Sequence, residues 1–86
     1  MAYKDVHKEI EAIYEAKNSD YGNSAEKSLD NFGLIAGVVR IGDKYERLVN
    51  LIKNPDAAKV QESLSDTLKD MANYCIIAAA WLDKQK

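Results

Sequence analysis

Leu34, Val38, Ile41, Tyr45, Leu48, Val49 and Ile52 recur at three- and four-residue intervals. That period places them on one side of a helix about five turns long. A second run, Leu64, Leu68, Met71, Cys75, Ala78, Ala79 and Leu82, repeats the pattern after Asn54-Pro55-Asp56. At that boundary Asn caps, Pro suits a first helical turn and Asp complements the N-terminal dipole. Two long amphipathic helices joined by a short connection dominate a chain of 86 residues. No stretch alternates as a strand does, so the expected fold is all-α.

The remaining segments complete a small bundle of three main helices in a single domain, residues 1–86. Val6, Ile10, Ile13 and Tyr14 share a helical face, which predicts a first helix from about Tyr3 to Lys17. Asn18 through Ser24 is rich in Asn, Ser, Asp and Gly and reads as a turn, with Gly22 supplying a positive φ. Asn23 and Glu26 have the spacing of a capping pair for the second helix, which begins near Ser24. Asn31-Phe32-Gly33 breaks that helix, since glycine costs a helix ~1 kcal/mol relative to alanine. Gly37 and Gly42 carry the same cost, and close approach of another backbone is the favoured reason. The third helix runs from about Ala57 to Asp83.

That third helix has apolar residues on two sides. Tyr74, Ile77, Ala80 and Trp81 fall away from its main stripe, and 86 residues leave little to cover them. The expectation is a homo-oligomer formed through the C-terminal helix. Cys75, in the middle of the apolar run, is expected in the core. The other tyrosines, Tyr3, Tyr14, Tyr45 and Tyr74, are assigned to helix packing, and His7 to the surface.

Composition narrows the function classes. A net charge of −2 argues against non-specific nucleic-acid binding. One cysteine permits no internal disulfide, which suits a reducing cytoplasm. The N-terminus carries no secretory pattern, and the C-terminal apolar run is too short to span a bilayer. A cytoplasmic, soluble protein without a membrane partner is expected. Gly-rich phosphate loops, zinc spacings and nucleophile elbows are absent from the sequence.

Three polar blocks remain, and a small bundle needs none of them to fold. Lys17, Asp20, Tyr21 and Ser24 occupy the turn, where Lys17 could meet a phosphate and Tyr21 a base. Arg40, Asp43, Lys44, Glu46 and Arg47 follow on the second helix. Arg40 and Arg47 are the only arginines, two turns apart on one face, and arginine suits bidentate phosphate recognition. On the third helix Glu62, Asp66, Asp70 and Asn73 form an acidic stripe. Carboxylates so aligned repel one another unless cations intervene, and Mg²⁺ commonly bridges carboxylates to phosphates.

In this order, Lys17-Asn18-Ser19-Asp20-Tyr21-Gly22, Arg40-Ile41-Gly42-Asp43-Lys44 and Glu62-Ser63-Leu64-Ser65-Asp66-Thr67 resemble the nucleotide modification associated domain, type one, of phages and bacteria, most specifically in the first block combined with Asp43-Lys44 and Arg47. That family resembles in turn the all-α, MazG-like nucleotide pyrophosphohydrolases. The resemblance spans about Ile13 to Tyr74. It implies a nucleotide-type ligand and Mg²⁺ held by Asp43, Glu46, Glu62, Asp66 and Asp70. The acid blocks depart from the MazG-like pattern: the first begins with Asp, and the second is one residue longer. Three functions are compatible with the chain: pyrophosphate hydrolysis, sequestration of a nucleotide immune messenger by a phage protein in the host cytoplasm, or an accessory role in nucleotide modification.

Overall fold

The computed structural model describes residues 3–21, 23–54 and 57–85; the side chains of 19–21 and 57–62 lie outside that description. The described residues form four helices and no strand: α1 (Tyr3–Tyr21), α2 (Ser24–Phe32), α3 (Leu34–Lys53) and α4 (Ala57–Lys84). The break at Gly33 falls where the sequence predicts it, so the second helix becomes two.

The turn between the first helices is much shorter than predicted. Helix α1 continues through Asn18 and Asp20 to Tyr21. The turn formers there cost a helix only a few tenths of a kcal/mol each, and Lys17, just before them, is tied to Asp70 of α4 at 3.0 Å. The chain reverses at Asn23, whose φ of 63° and ψ of 29° are left-handed, a conformation Asn tolerates better than most residues. The predicted capping pair does not form. A side-chain cap needs extended backbone at that position, and Asn23 offers only its carbonyl, to the Lys27 amide at 2.9 Å. Glu26 pairs instead with Lys84 at 3.1 Å. Gly22, Pro55 and Asp56, to which roles in the connections are assigned above, lie outside the described residues.

At Gly33, φ is 80° and ψ −171°, backbone that essentially only glycine adopts. Its amide caps α2 by donating to the Leu29 carbonyl at 2.7 Å, and its carbonyl accepts from Ala36 as α3 begins. A Cβ added there would meet nothing within 4 Å. Gly33→Ala is therefore a purely backbone perturbation, expected to lower stability by ~1–3 kcal/mol, read as a fall in the urea midpoint at constant slope.

Helices α3 and α4 run antiparallel. Gly37 lies beside Ala78, Arg40 beside Tyr74, Lys44 beside Asp70 and Arg47 beside Thr67, partners descending one helix as they climb the other. Gly37 sets the approach: a Cβ there would sit 3.3 Å from both the Ala78 Cβ and a Leu29 methyl. Gly42 has open space around it, so close approach explains one glycine and not the other. Leu29, 2% exposed, plugs the junction of α2, α3 and α4.

The packed faces are rolled from the predicted stripes by most of one residue step, ~100° at 3.6 residues per turn. On α4, Thr67 and Ala78 are buried, while Leu68 is 55% and Leu82 41% exposed. Cys75, predicted in the core, is exposed. Thr67 avoids an unsatisfied hydroxyl by donating to the Ser63 carbonyl at 2.6 Å, and it accepts from Arg47 Nε at 3.2 Å. Asn73, assigned to a polar stripe, is buried and donates to the Ile10 carbonyl at 3.1 Å. Helices α1 and α2 cover part of the second apolar side of α4 within the chain, and Ala80 on that side stays exposed. Tyr74, Ile77 and Trp81 are half-buried, and Trp81 Nε1 donates to Asp30 at 2.9 Å.

On α3 the same roll leaves Leu34, Val38, Tyr45 and Ile52 between 39% and 65% exposed. In an antiparallel pair, equal rolls bring both exposed sectors to one side. Leu34, Val38, Tyr45, Leu68 and Leu82 thus share one apolar face, opposite α1. Tyr3 and Tyr45, assigned to packing, are exposed; Tyr14 and Tyr74 are half-buried, and His7 is exposed as predicted. Among the described residues no helix is long and apolar enough to cross a membrane.

Candidate functional site

The last turns of α1, the start of α2 and the polar faces of α3 and α4 enclose a cleft of about 330 Å³. Each helix contributes side chains by its own period. Helix α1 brings Tyr14, Lys17 and Asn18, three and four residues apart on one face. Helix α2 brings Ser24 and Ala25 through the reversal at Asn23. Arg40 enters from α3, and Asp70, Asn73, Tyr74 and Ile77 from two turns of α4.

Charge is concentrated at one end. The Asp70 carboxylate receives Lys17 Nζ at 3.0 Å on one oxygen and Lys44 Nζ at 3.6 Å on the other. Arg40 lines the same cleft, whose described lining thus carries two cations, Lys17 and Arg40, against one carboxylate, with Lys44 behind it. Arg40 rests over the Tyr74 ring, 5.8 Å from its centroid, and reaches Ser28 Oγ at 3.4 Å. That hydrogen bond engages one of the five guanidinium donors. The Tyr74 contact orients the guanidinium without consuming a donor. The arrangement can accept an anion by exchanging Asp70 for ligand oxygens on cations already in place.

The predicted residues separate into groups. Lys17, Ser24, Arg40 and Asp70 line the cleft, and Lys44 stands behind Asp70. Arg47 is held on Thr67, outside the cleft lining, where it ties α3 to α4. Asp43 is outside the cleft lining, on a shallow adjoining surface that it shares with Arg40, Phe32, Ile35 and Val39. Glu46 and Asp66 are exposed. The side chains of Asp20, Tyr21 and Glu62 lie outside the described residues. Among the described residues, no three of His, Cys, Asp and Glu come together in a geometry suited to a metal ion. Magnesium needs a near-octahedral oxygen set, and the one described carboxylate in the cleft lining is paired with two lysines.

Tyr14, Asn18, Asn73, Tyr74 and Ile77 line the cleft without having been predicted there. The usable signals are their spacings: Tyr14 precedes Lys17 by three residues, and Asn73 and Tyr74 follow Asp70 by three and four. Aromatic residues at such intervals are equally what packing requires.

Fold and cleft together define a small all-α protein with a cationic, tyrosine-flanked pocket. Residues 17–82 match the family described as nucleotide modification associated domain 1, and the chain belongs to that family. No curated protein and no solved structure matches the chain.

Proposed function

We propose that the cleft binds a nucleotide or nucleotide-derived phosphate ligand and holds it intact. The observation that carries this reading is the Lys17–Asp70–Lys44 cluster, set beside an arginine that is oriented by a tyrosine yet keeps donors to spare. Phosphate oxygens gain charge-assisted bonds there, and a volume near 330 Å³ lies within the range of small-ligand pockets. The family's description, which associates it with nucleotide modification, agrees in ligand class. The MazG-like resemblance would add Mg²⁺-dependent cleavage of a pyrophosphate bond. The described carboxylates do not supply a shell for that ion, so sequestration is preferred to hydrolysis. A phage-encoded sponge for an immune messenger is the biological form such a binder would take.

Incubation with a mixed nucleoside phosphate pool and Mg²⁺, followed by chromatography, tests the choice. The expected result is ligand recovered unchanged from heat-denatured protein. Release of pyrophosphate or phosphate, abolished by Asp66→Asn, would establish the hydrolase instead.

The binder is further proposed to assemble as a homo-oligomer through the apolar face of α3 and α4. The chain exposes 6348 Å², against about 5,100 Å² for a compact monomer of its mass. Its radius of gyration is 14.0 Å, against about 12 Å for a compact chain of this length. The excess surface exceeds the ~800 Å² that each partner buries in a standard interface. A single-chain core whose buried apolar side chains, among the described residues, are Leu29 and Ala78 points the same way.

A further inference from the structure

A second pocket, of about 430 Å³, adjoins the cleft on the side toward the C-terminus of α4. Tyr14, Asn73 and Ile77 line both, so the two form one continuous groove between α1 and α4. Their chemistry differs. The cleft has its excess of cations, whereas the second pocket is walled by Ile10, Ile77, Ala80 and Trp81. Its rim carries Glu11 and Glu26, and the Lys84 beside them is already paired with Glu26 at 3.1 Å. The Trp81 indole is fixed by its bond to Asp30, so a flat wall is in place before any ligand arrives. An anionic group is favoured at the Lys17 end and disfavoured at the Trp81 end. Ile77 stands seven residues beyond Asp70 on the same helix, about 10 Å along its axis, a distance that a ribose and a phosphate chain cover.

We infer that the second pocket receives the base of the same ligand, and that Glu11 selects bases presenting N–H donors at their edge, guanine above uracil. This rests on the phosphate-binding reading and extends it to the other end of the ligand. A planar ring between Trp81, Ile77 and Tyr14 gains stacking and apolar contact. A carboxylate at the rim accepts from the amino and imino groups of guanine and repels the carbonyl-rich edge of uracil. Glu11 is exposed on α1, with no charge partner recorded among the described residues, so its carboxylate is available for that contact.

Trp81 is the single tryptophan of the chain, so its emission reports on this pocket alone. The full-length protein is titrated with guanosine diphosphate, uridine diphosphate, ribose 5-phosphate and pyrophosphate, following fluorescence and heat. The expected result is quenching by guanosine diphosphate, affinity at least tenfold above that of ribose 5-phosphate, and weaker binding of the uridine compound. Glu11→Gln should narrow the guanine-to-uracil ratio about tenfold and leave pyrophosphate affinity unchanged. Trp81→Phe, which preserves a ring, should retain more affinity than Trp81→Ala. Guanosine diphosphate binding no better than ribose 5-phosphate, without a change in Trp81 emission, would overturn the inference and leave the phosphate site standing. Equal affinity for the two bases would remove the role given to Glu11. Absence of binding by all four compounds would overturn the inference and the phosphate reading together.

Discussion

Arg40→Ala is expected to weaken nucleotide binding by about thirtyfold or more. The figure corresponds to ~2 kcal/mol, the range for hydrogen bonds to a charged group. Arg40 reaches into the cleft from the centre of α3, supported by Tyr74 and Ser28. Losing it removes both a charge and a fork of donors. Arg40→Lys keeps the charge and loses the fork, so intermediate affinity is expected. Among the described residues, the half-buried Arg40 makes a long hydrogen bond to Ser28 and a cation–π contact. Thermal unfolding of both variants should therefore stay within a few degrees of the parent. Arg47→Ala supplies the contrast. Its side chain bonds Thr67 outside the cleft lining, so it should lower stability by ~1 kcal/mol with little change in affinity.

The second large effect concerns assembly. Leu68→Glu combined with Leu82→Glu places two carboxylates on the apolar face shared by α3 and α4. Burying an unpaired charge costs several kcal/mol, so sedimentation should show the oligomer replaced by the 9.6 kDa chain. Because both residues are already exposed within the chain, their polarity costs the isolated subunit little. Trp81→Glu behaves differently. Trp81 is half-buried against α2 and bonded to Asp30, so its replacement should destabilise the subunit itself. An unchanged oligomer after the double substitution would place the interface elsewhere, with the Phe32, Ile35 and Val39 surface as the next candidate.

The helices were legible because their apolar period is strong, and the break at Gly33 because only glycine accepts the conformation found there. The roll of the helices was not. Apolar residues on α3 and α4 cover a sector wider than one neighbour can bury, and periodicity locates the centre of that sector rather than the part that packs. Polar contacts hold the roll: Thr67 accepts from Arg47 of α3, and Asn73 donates to the Ile10 carbonyl of α1. Such partners are invisible to a hydropathy pattern. The same limit separated Cys75 from the core.

The site was legible in part for a related reason. Lys17, Ser24, Arg40 and Asp70 stood out as charges or polar groups that folding did not require, and they meet in one cleft. Helical spacing then suggested that Asp43 and Arg47 would accompany Arg40; Asp43 does so on a shallow neighbouring surface, whereas Arg47 turns to Thr67, and neither lines the cleft. Tyr14 and Tyr74 went unrecognised because an aromatic at helical spacing has the same signature in a core as in a ligand wall. The Asp70 carboxylate, expected among several metal ligands, is paired with two lysines, which its helical spacing did not foretell.

The central claim is that side-chain cations, not a metal, hold a nucleotide phosphate in the cleft. Isothermal titration of the assembled protein with guanosine diphosphate, with and without EDTA, tests it most directly. The account predicts saturable binding with the same affinity in both conditions, lost in Arg40→Ala. Binding abolished by EDTA, or no binding in either condition, would contradict it.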